Sequence, residues 1–509
     1  MALPGGSPVV LTADRILMGG YRLLFDGMLA ATQTTTTPRC VMAALLLPRG
    51  GYAEGRARMA PLGLRRIEAA LLQGGFSPAE VAVVDDRGLP RAIGPATQVI
   101  AVSAGDPGGQ GMNSTTMSAV AGGRPYPQAL LEELLGRIRW LRSRAPQARV
   151  VLGGPGAWQA AADPALRRRL GVDHVVCGYA EANVADLFHR LRAGEDLPEV
   201  LQGQGPAVED IPPVRGATTM GVVEISRGCG LGCGFCALAA VPMHHLPADT
   251  IRADAQTNLA AGQTNLAAGQ TNLAALSEDF FRYGGQGVRA NSGALLALLE
   301  SLRALPRLRL IQTDHANLSS VAQFTDGELR AVRQLLVGPT GQRWPWVNVG
   351  VETAAGELLA AAGGAAKLGS VGPGQWGEFS TAQVRRLVAA GFLPMVSLVV
   401  GLPGETPAQV QQTLAWVQAF RGQPVTIFPL LYAPLDGTAP PGVDQLTRLH
   451  WDLIRECYEF NFTWVPRLYA DSQAAGGVGE GRRLLMRALG QGQVWQRRWL
   501  LARHRRRAR

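Results

Sequence analysis

Three of the six cysteines lie within eight residues, in the stretch RGCGLGCGFC at 227–236. Cys229, Cys233 and Cys236 have the spacing C-x3-C-x2-C and directly follow an apolar run, GVVEIS, that predicts a β-strand. Thiolates are the ligands of zinc and of iron–sulfur clusters. Glycines between the cysteines permit the tight turns that bring such ligands together. The sequence therefore predicts a metal-binding loop at the end of a strand.

The number of thiols distinguishes two kinds of metal site. A structural zinc ion requires four protein ligands, and His244 or His245 could supply the fourth. However, this spacing differs from the usual zinc pairs, and the sequence contains no second cysteine pair. Three thiolates on a four-iron cluster leave one iron open for an exogenous ligand. We therefore favour a cluster and keep zinc as the alternative.

The first 215 residues alternate short apolar runs with amphipathic stretches, a pattern that predicts a doubly wound, mostly parallel sheet. Several of the runs end in glycine-rich segments, including SAGDPGGQG, GGPG and GYAE. In open α/β sheets, ligands bind outside the carboxyl ends of the strands, where glycine lets the backbone approach closely. The predicted strands are 9–12, 40–47, 80–85, 98–105, 148–156 and 174–181.

The proline-rich segment EDIPPVRG (209–216) predicts a domain boundary. A second strand–helix series follows, and beyond about residue 430 the chain becomes aromatic-rich and less regular. We predict domains at 1–215, 216–430 and 431–509. The strands of the second series are predicted at 221–226, 273–281, 308–314, 346–352 and 394–405.

Three tandem heptads, QTNLAAG, QTNLAAG and QTNLAAL, occupy 256–276. Seven residues are nearly two helical turns, so whole heptads lengthen a helix with little rotation of its buried face. We interpret them as a duplication inside the helix that precedes the second strand of this series.

The cysteine spacing, with Phe235 before the last cysteine, resembles the signature of the radical SAM superfamily. The resemblance implies a 4Fe–4S cluster on Cys229, Cys233 and Cys236, whose open iron binds S-adenosylmethionine (SAM). One electron from the cluster would then cleave SAM to a 5′-deoxyadenosyl radical. The segments LSEDFFRYGG, VNVGVET and LVVGLPGET resemble the later strands of that core. The SAM-binding residues that the resemblance implies are Phe235, Glu278, Asp279, Glu352 and Gly401.

An α/β domain placed before such a core resembles the cobalamin-binding radical SAM class, over roughly residues 75 to 430. The fold expected is α/β: a doubly wound Rossmann-like cobalamin-binding domain, a partial (βα) barrel radical SAM core, and a small, mostly helical C-terminal segment. The D-x-H-x-x-G loop of classical cobalamin domains does not occur, since DDRGLP (85–90) has no histidine. The strand-end residues that would surround the corrin are Ser103, Gly105, Gly153, Gly154, Gly178 and Glu181.

The activity that this class implies is methyl transfer to an unactivated carbon by way of a 5′-deoxyadenosyl radical. Cyclisation or rearrangement with the same two cofactors is the alternative. A third candidate, tRNA modification by a methylthiotransferase, is ranked lower, because that family carries a second cysteine triplet and a terminal β-barrel. We expect a small-molecule or lipid-like substrate and an electron donor such as flavodoxin or ferredoxin.

The formal charge of +10 is concentrated in the tail 495–509, which has seven arginines and no acidic residue. We interpret this tail as a solvated, frayed terminus, with contact to an anionic membrane surface as the alternative; a nucleic-acid partner is not expected. No apolar run of about 18 residues and no signal peptide are evident, so we expect a cytoplasmic protein. Cys40, Cys177 and Cys457 are interpreted as packing residues, with a substrate-facing thiol as the alternative for Cys457. His315 is interpreted as a satisfied, non-catalytic histidine near the mouth of the barrel, with proton transfer as the alternative.

Overall fold

The computed structural model describes residues 5–53, 55–261, 271–435 and 445–508. The chain divides into two compact units, each assembled from separate segments. Unit one comprises residues 1–114, 122–223 and 246–270, and unit two comprises residues 115–121, 224–245 and 271–509.

A six-stranded parallel sheet forms the centre of unit one, with the strand order β2-β1-β3-β4-β5-β6. The order reverses between β1 and β3, the type of switch point beside which doubly wound folds bind ligands. Nearly every residue of β1 to β3 is buried, as expected for strands covered on both faces. The strands are β1 (Val9–Ala13), β2 (Val81–Val83), β3 (Val99–Ser103), β4 (Arg149–Gly153), β5 (His174–Cys177) and β6 (Val200–Gln202).

Helices flank this sheet. A buried ion pair between Arg66 and Asp254, 2.6 Å apart, ties two of these helices together. Asp163 caps one helix by accepting hydrogen bonds from Ala165 and Leu166. The helices are Leu24–Ala31, Leu62–Gln73, Leu89–Ala92, Met112–Ala121 (shared between the units), Tyr126–Leu141, Ala157–Ala162, Pro164–Leu170, Val184–Arg192 and Ala248–Ala260, and short strands lie at Tyr52–Ala53, Arg56–Ala57, Met59–Ala60 and Ala217–Thr218.

Two expectations for unit one need correction. The apolar run 40–47 was predicted as a strand, but it forms a helical turn, Arg39–Val41, followed by a π-helical turn, Met42–Leu46. Its alanine, leucine and methionine residues favour helix, and a short apolar run does not distinguish a strand from a buried helix. The edge strand β6 was not predicted, because its three residues are too few to show a periodic pattern.

A second parallel sheet, interrupted at Asp314, forms the centre of unit two. Strands β7, β8 and β9 form one part, and the short strand His315–Ala316 continues into β10, β11 and β12. Among the described residues the strands do not close into a complete barrel. The predicted partial barrel is likewise an open one. The strands are β7 (Val222–Glu224), β8 (Asn272–Leu276), β9 (Leu310–Thr313), β10 (Trp346–Glu352), β11 (Leu393–Val400) and β12 (Thr426–Leu431).

Helices connect and cover these strands. Thr325 and Thr406 begin two of them with capping boxes, each accepting a hydrogen bond from the backbone three residues on. The helices are Ser292–Arg303, Leu318–Val321, Asp326–Val337, Gly356–Leu359, Trp376–Ala389, Pro407–Gln418, Arg448–Ala475 and Glu480–Arg507, and shorter helical turns include Phe280–Arg282, Ala360–Gly364 and Ala365–Leu368.

The sequence suggested that all the tandem heptads extend one helix. The structure shows that they do not. The first copy continues the helix Ala248–Ala260. The third copy forms the buried strand β8, paired in parallel with β9. The second copy lies outside the described residues. The duplication therefore contributes to two different elements.

The C-terminal segment is mostly helical, as predicted, but its basic end is not frayed. Helix Glu480–Arg507 packs against Arg448–Ala475, where the ring of His504 stacks on Trp451 with centroids 4.7 Å apart. Arg505 also forms an ion pair with Asp452. Trp495 and Trp499 stay largely exposed on this helix. In the part of the chain that the structure describes, no helix combines the length and apolarity needed to span a bilayer.

Candidate active site

The cysteine loop folds back at the end of β7. Backbone hydrogen bonds from Cys229 to Val241 (2.9 Å) and from Gly232 to Ala239 (3.0 Å) close it. Gly228, with φ +74°, has the left-handed backbone that favours glycine, and a side chain there would collide with the carbonyl of Pro242. The path of the loop therefore requires glycine at position 228.

Two arginines hold the base of this loop. Arg227 forms a buried, two-pronged ion pair with Glu224, with distances of 2.7 and 3.0 Å. Arg282 donates to the carbonyl of Cys229 and lies 3.8 Å from its sulfur. Neither arginine was identified from the sequence. Arg227 and Glu224 are only three residues apart, but that spacing is common and marks no site, and the contact of Arg282 with Cys229 joins distant segments.

The three thiols share one partly buried environment. Burial raises the pKa of all three thiols, to about 11 for Cys233, and the ammonium group of Lys367 opposes this rise at each of them. A free thiolate is therefore unfavourable here. Thiol ligands lose their protons when they bind metal, so a metal centre would offset that cost.

A zinc site completed by histidine does not fit this arrangement. The Nε2 atom of His245 lies 3.1 Å from the carbonyl oxygen of Gly285, and the ring packs edge-on against Tyr283. Within the described ranges, no three His, Cys, Asp or Glu side chains converge on a point suited to one metal ion. A four-iron cluster offers a separate iron to each thiolate, so its ligands need not converge in this way.

A buried ion pair between Lys367 and Glu352 lies beside the cysteines. Glu352 ends β10 with a left-handed backbone, φ +65°, at a point where the register with β11 shifts. Such strain in a non-glycine residue is typical of functional sites. Lys367 was not identified from the sequence, yet it carried a signal: it is the only lysine in the chain, among 49 lysine and arginine residues.

Glu278 and Asp279, adjacent in sequence, occupy different environments. Asp279 is fully buried; its Oδ1 accepts from the amide of Asn317 and its Oδ2 from the hydroxyl of Ser320 (2.6 Å). Glu278 is half-buried; burial raises its pKa, and the charge of His315 opposes the rise. Both carboxylate oxygens of Asp279 thus accept hydrogen bonds from within the protein. Glu278 is therefore the better candidate to bind a ligand.

His315 lies at the break in the sheet. Its Nδ1 is 3.1 Å from Asp314, and that carboxylate also accepts from the amide of Asn348. Desolvation lowers the pKa of His315, but the carboxylates of Asp314 and Glu278 outweigh it and raise the pKa to about 9. The imidazole side chain is 52% exposed. It is thus a charged, accessible group at neutral pH and not a packed one.

Comparison with known proteins gave two kinds of relative, and no family model matches the sequence. The tRNA-2-methylthio-N(6)-dimethylallyladenosine synthase of Halorhodospira halophila is 26% identical, over 62% of this chain and 63% of that protein. The ribosomal protein uS12 methylthiotransferase RimO of Oleidesulfovibrio alaskensis is 28% identical, over 52% and 56%. The chain thus spans about 60% of the length of these curated relatives.

Two solved structures of the radical SAM methyltransferase TsrM from Kitasatospora setae share the fold. One holds cobalamin and a [4Fe–4S] cluster, with a TM-score of 0.51 over 84% of this chain and 74% of that one. The other holds tryptophan and the SAM analogue aza-SAM, with a TM-score of 0.52 over 84% and 75%. Sequence identity is 18% in both. Over most of its length the chain therefore shares the fold of these radical SAM methyltransferase structures.

The remaining residues that the sequence resemblance assigned to SAM are held by the protein itself. Gly401, with φ +82°, donates its amide hydrogen to Glu405 (2.8 Å), which also contacts Nε2 of His450 (3.2 Å). Phe235 is buried, with 5% of its surface exposed. Both positions therefore have a structural role, whatever they contact when SAM is present.

The strand-end residues assigned to cobalamin lie in unit one, near the carboxyl ends of its strands. An added side-chain carbon at Gly154 would lie 2.7 Å from the Ser103 hydroxyl and 2.8 Å from the Ala104 carbonyl. Gly154 is thus required for the β3 and β4 loops to pack. Gly105 has open space where a side chain would project. Carbons added at Gly153 and Gly178 would meet a neighbouring atom only at 3.9 Å.

Proposed function

We propose that this protein is a radical SAM enzyme that transfers a methyl group to an unactivated carbon of a small molecule and uses cobalamin to do so. The observation that carries the proposal is the combination of a parallel sheet in one unit with the cysteine loop in the other. A parallel sheet with a switch point occupies unit one, and the cysteine loop occupies unit two. The likeness to the cobalamin-containing TsrM structure covers 84% of the chain, and therefore extends into both units.

In unit two, Cys229, Cys233 and Cys236 would hold the 4Fe–4S cluster. Glu278 would accept hydrogen bonds from the methionine amino group of SAM, because its carboxylate is the one that Asn317 and Ser320 do not occupy. When bound, the cluster and SAM supply a 5′-deoxyadenosyl radical, and cobalamin supplies the methyl group that is transferred. Protonated His315 would hold or release a proton at Nε2, since its Nδ1 is oriented by Asp314.

In unit one, the corrin would lie against the loops that follow β3, β4 and β5. Two hydrogen bonds hold the loop after β3: Asp106 accepts from Gln159 (2.6 Å), and Gln159 accepts from the backbone of Gly108 (2.7 Å). Gly105, Gly153 and Gly178 leave room above these loops, which is what a flat macrocycle requires. Ser103 and Glu181 would contribute polar contacts at the same edge.

Methylthiotransferase activity on tRNA or protein is the second candidate, favoured by the names of the curated relatives. The remaining cysteines argue against it, because they are not grouped. Cys40 is exposed in a helical turn and Cys177 lies at the end of β5, both in unit one, whereas Cys457 is buried in a helix of unit two. They do not form the second triplet that we associate with that family.

The test requires no substrate. The protein would be reconstituted anaerobically with iron, sulfide and cobalamin, and then given a strong reductant, such as reduced flavodoxin, and SAM labelled in its methyl group. Labelled methylcobalamin together with 5′-deoxyadenosine is the expected result. Deoxyadenosine without methylcobalamin would contradict the methyltransferase proposal and favour cyclisation or rearrangement. Tryptophan, the substrate in one TsrM structure, is the first compound to add.

A further inference from the structure

A cavity of about 620 Å³ lies in the C-terminal part of unit two. It is formed by Trp344, just before β10, and by the two long C-terminal helices. Glu352, beside the cysteines, ends the same strand, and a strand rises about 3.3 Å per residue, which separates the two ends by roughly 20 Å. The cavity is therefore distinct from the candidate active site. Its volume falls within the range typical of small-molecule pockets.

The lining combines cationic and apolar groups. Arg467, Arg483 and Arg487 face a single acidic residue, Asp471, which leaves an excess of two positive charges. Asp471 is already occupied, because its oxygens accept from the backbone amides of Arg343 (3.1 Å) and Trp344 (2.9 Å).

Arg483 lines the cavity and has one unpaired hydrogen-bond donor among the described residues. Its Nε is buried and has no hydrogen-bond partner among the described residues. Buried donors in proteins are almost always paired. Arg483 itself is only partly buried, and the terminal nitrogens of a guanidinium provide a two-pronged donor for a carboxylate or phosphate group.

Other lining residues provide an apolar surface: Trp344, Phe462 and Pro466. The indole ring of Trp344 packs edge to face against Trp464, which does not itself line the cavity, with centroids 5.7 Å apart. The guanidinium of Arg467 lies 4.9 Å above Trp464. A flat hydrocarbon group would pack against these side chains while an attached anion reached Arg483.

We propose that this cavity is a second binding site, for a small organic anion that carries an aromatic or alicyclic group. This inference is independent of the methyltransferase proposal, because no residue of the cavity belongs to the cysteine site. Binding is tested on the 509-residue chain without cluster or cobalamin, by titration calorimetry with 1-naphthyl phosphate. Inorganic phosphate and 1-naphthol serve as the two halves of this probe.

The expected result is that 1-naphthyl phosphate binds at least about tenfold more tightly than either half, and that Arg483→Gln weakens its binding by about tenfold or more. Arg503→Gln is the matched control, because Arg503 lies on the same helix, exposed, over Trp499. It should change the affinity by less than about twofold. Arg487→Gln, at the rim, provides a second test if Arg483→Gln does not fold.

Equal losses in Arg483→Gln and Arg503→Gln would overturn the proposal, since they would indicate general charge attraction. Absence of binding at a ligand concentration of about 1 mM would also overturn the proposal, because a dissociation constant of that size corresponds to a binding free energy of only about 4 kcal/mol. Neither result bears on SAM cleavage, so failure of this inference can be told apart from failure of the proposed function.

Discussion

Lys367, the only lysine of the chain, forms a buried ion pair with Glu352 at the strained end of β10. Their side chains keep only 11% and 9% of their surface exposed. Gly350 lies directly beneath the pair, where a side-chain carbon would collide with the Glu352 carboxylate and the Lys367 ammonium group. This pair places a fixed positive charge beside three thiols that would be anionic when they bind a cluster.

Lys367→Met should destabilise the protein by about 3–5 kcal/mol, because it leaves Glu352 buried without its counter-ion. Urea denaturation of the protein without cofactors measures this change. The double variant Lys367→Met with Glu352→Gln should recover a large part of the loss, since no buried charge then remains unpaired. If the double variant is as unstable as the single one, the ion pair is not the cause.

Cys233→Ala should abolish 5′-deoxyadenosine formation and lower the bound iron and acid-labile sulfide to background, because two thiolates cannot replace three. Cys177→Ala is the control: this thiol lies in unit one, at the end of β5. It should retain both the cluster and SAM cleavage. Retained cleavage in Cys233→Ala would contradict the assignment of the cluster.

Glu278→Gln and Asp279→Asn should affect different properties: the first SAM binding, the second the stability of the fold. Glu278→Gln should weaken SAM binding by about tenfold, the loss of one charged hydrogen bond, with little change in stability. Asp279→Asn should destabilise the fold, by about 1–3 kcal/mol, because Asn317, Ser320 and Arg282 lose a buried partner. Equilibrium binding of SAM and urea denaturation measure the two effects separately. Equal behaviour of the variants would contradict the distinction.

The Asp314–His315 pair should stabilise the protein in a pH-dependent way. The pKa of His315 is raised from 6.5 to about 9, so the folded protein binds its proton more tightly than the unfolded chain does. The stabilisation should be complete below pH 6.5 and lost as the pH rises through about 9. The stability difference between wild type and His315→Gln should therefore shrink over this interval. A stability difference that does not change with pH would contradict this prediction.

Gly105→Val and Gly154→Ala test the cobalamin loops. Gly154→Ala should destabilise unit one, because the new carbon meets Ser103 and Ala104 and the backbone has φ +93°. Gly105→Val has room in the protein and should fold normally, yet its side chain would occupy space assigned to the corrin. The ratio of cobalamin to protein after reconstitution and desalting should fall in Gly105→Val. An unchanged ratio would place the corrin elsewhere.

The sequence by itself determined the strand–helix alternation and the cysteine loop, because apolar periodicity and glycine spacing are local properties of the chain. It also contained the single lysine. It did not determine which side chains meet: the separate environments of Glu278 and Asp279, and the pairing of Lys367 with Glu352, depend on contacts between distant segments.

The heptads show this limit most directly. The residues QTNLAA occur at 256–261 and again at 270–275. In the first copy Asn258 lies in a helix and accepts hydrogen bonds from Thr218, whereas in the third copy Asn272 begins β8 and pairs with Leu310. Identical residues have identical intrinsic propensities, which amount to less than about 1 kcal/mol per residue. Only the surrounding tertiary contacts could select a helix in one place and a strand in the other.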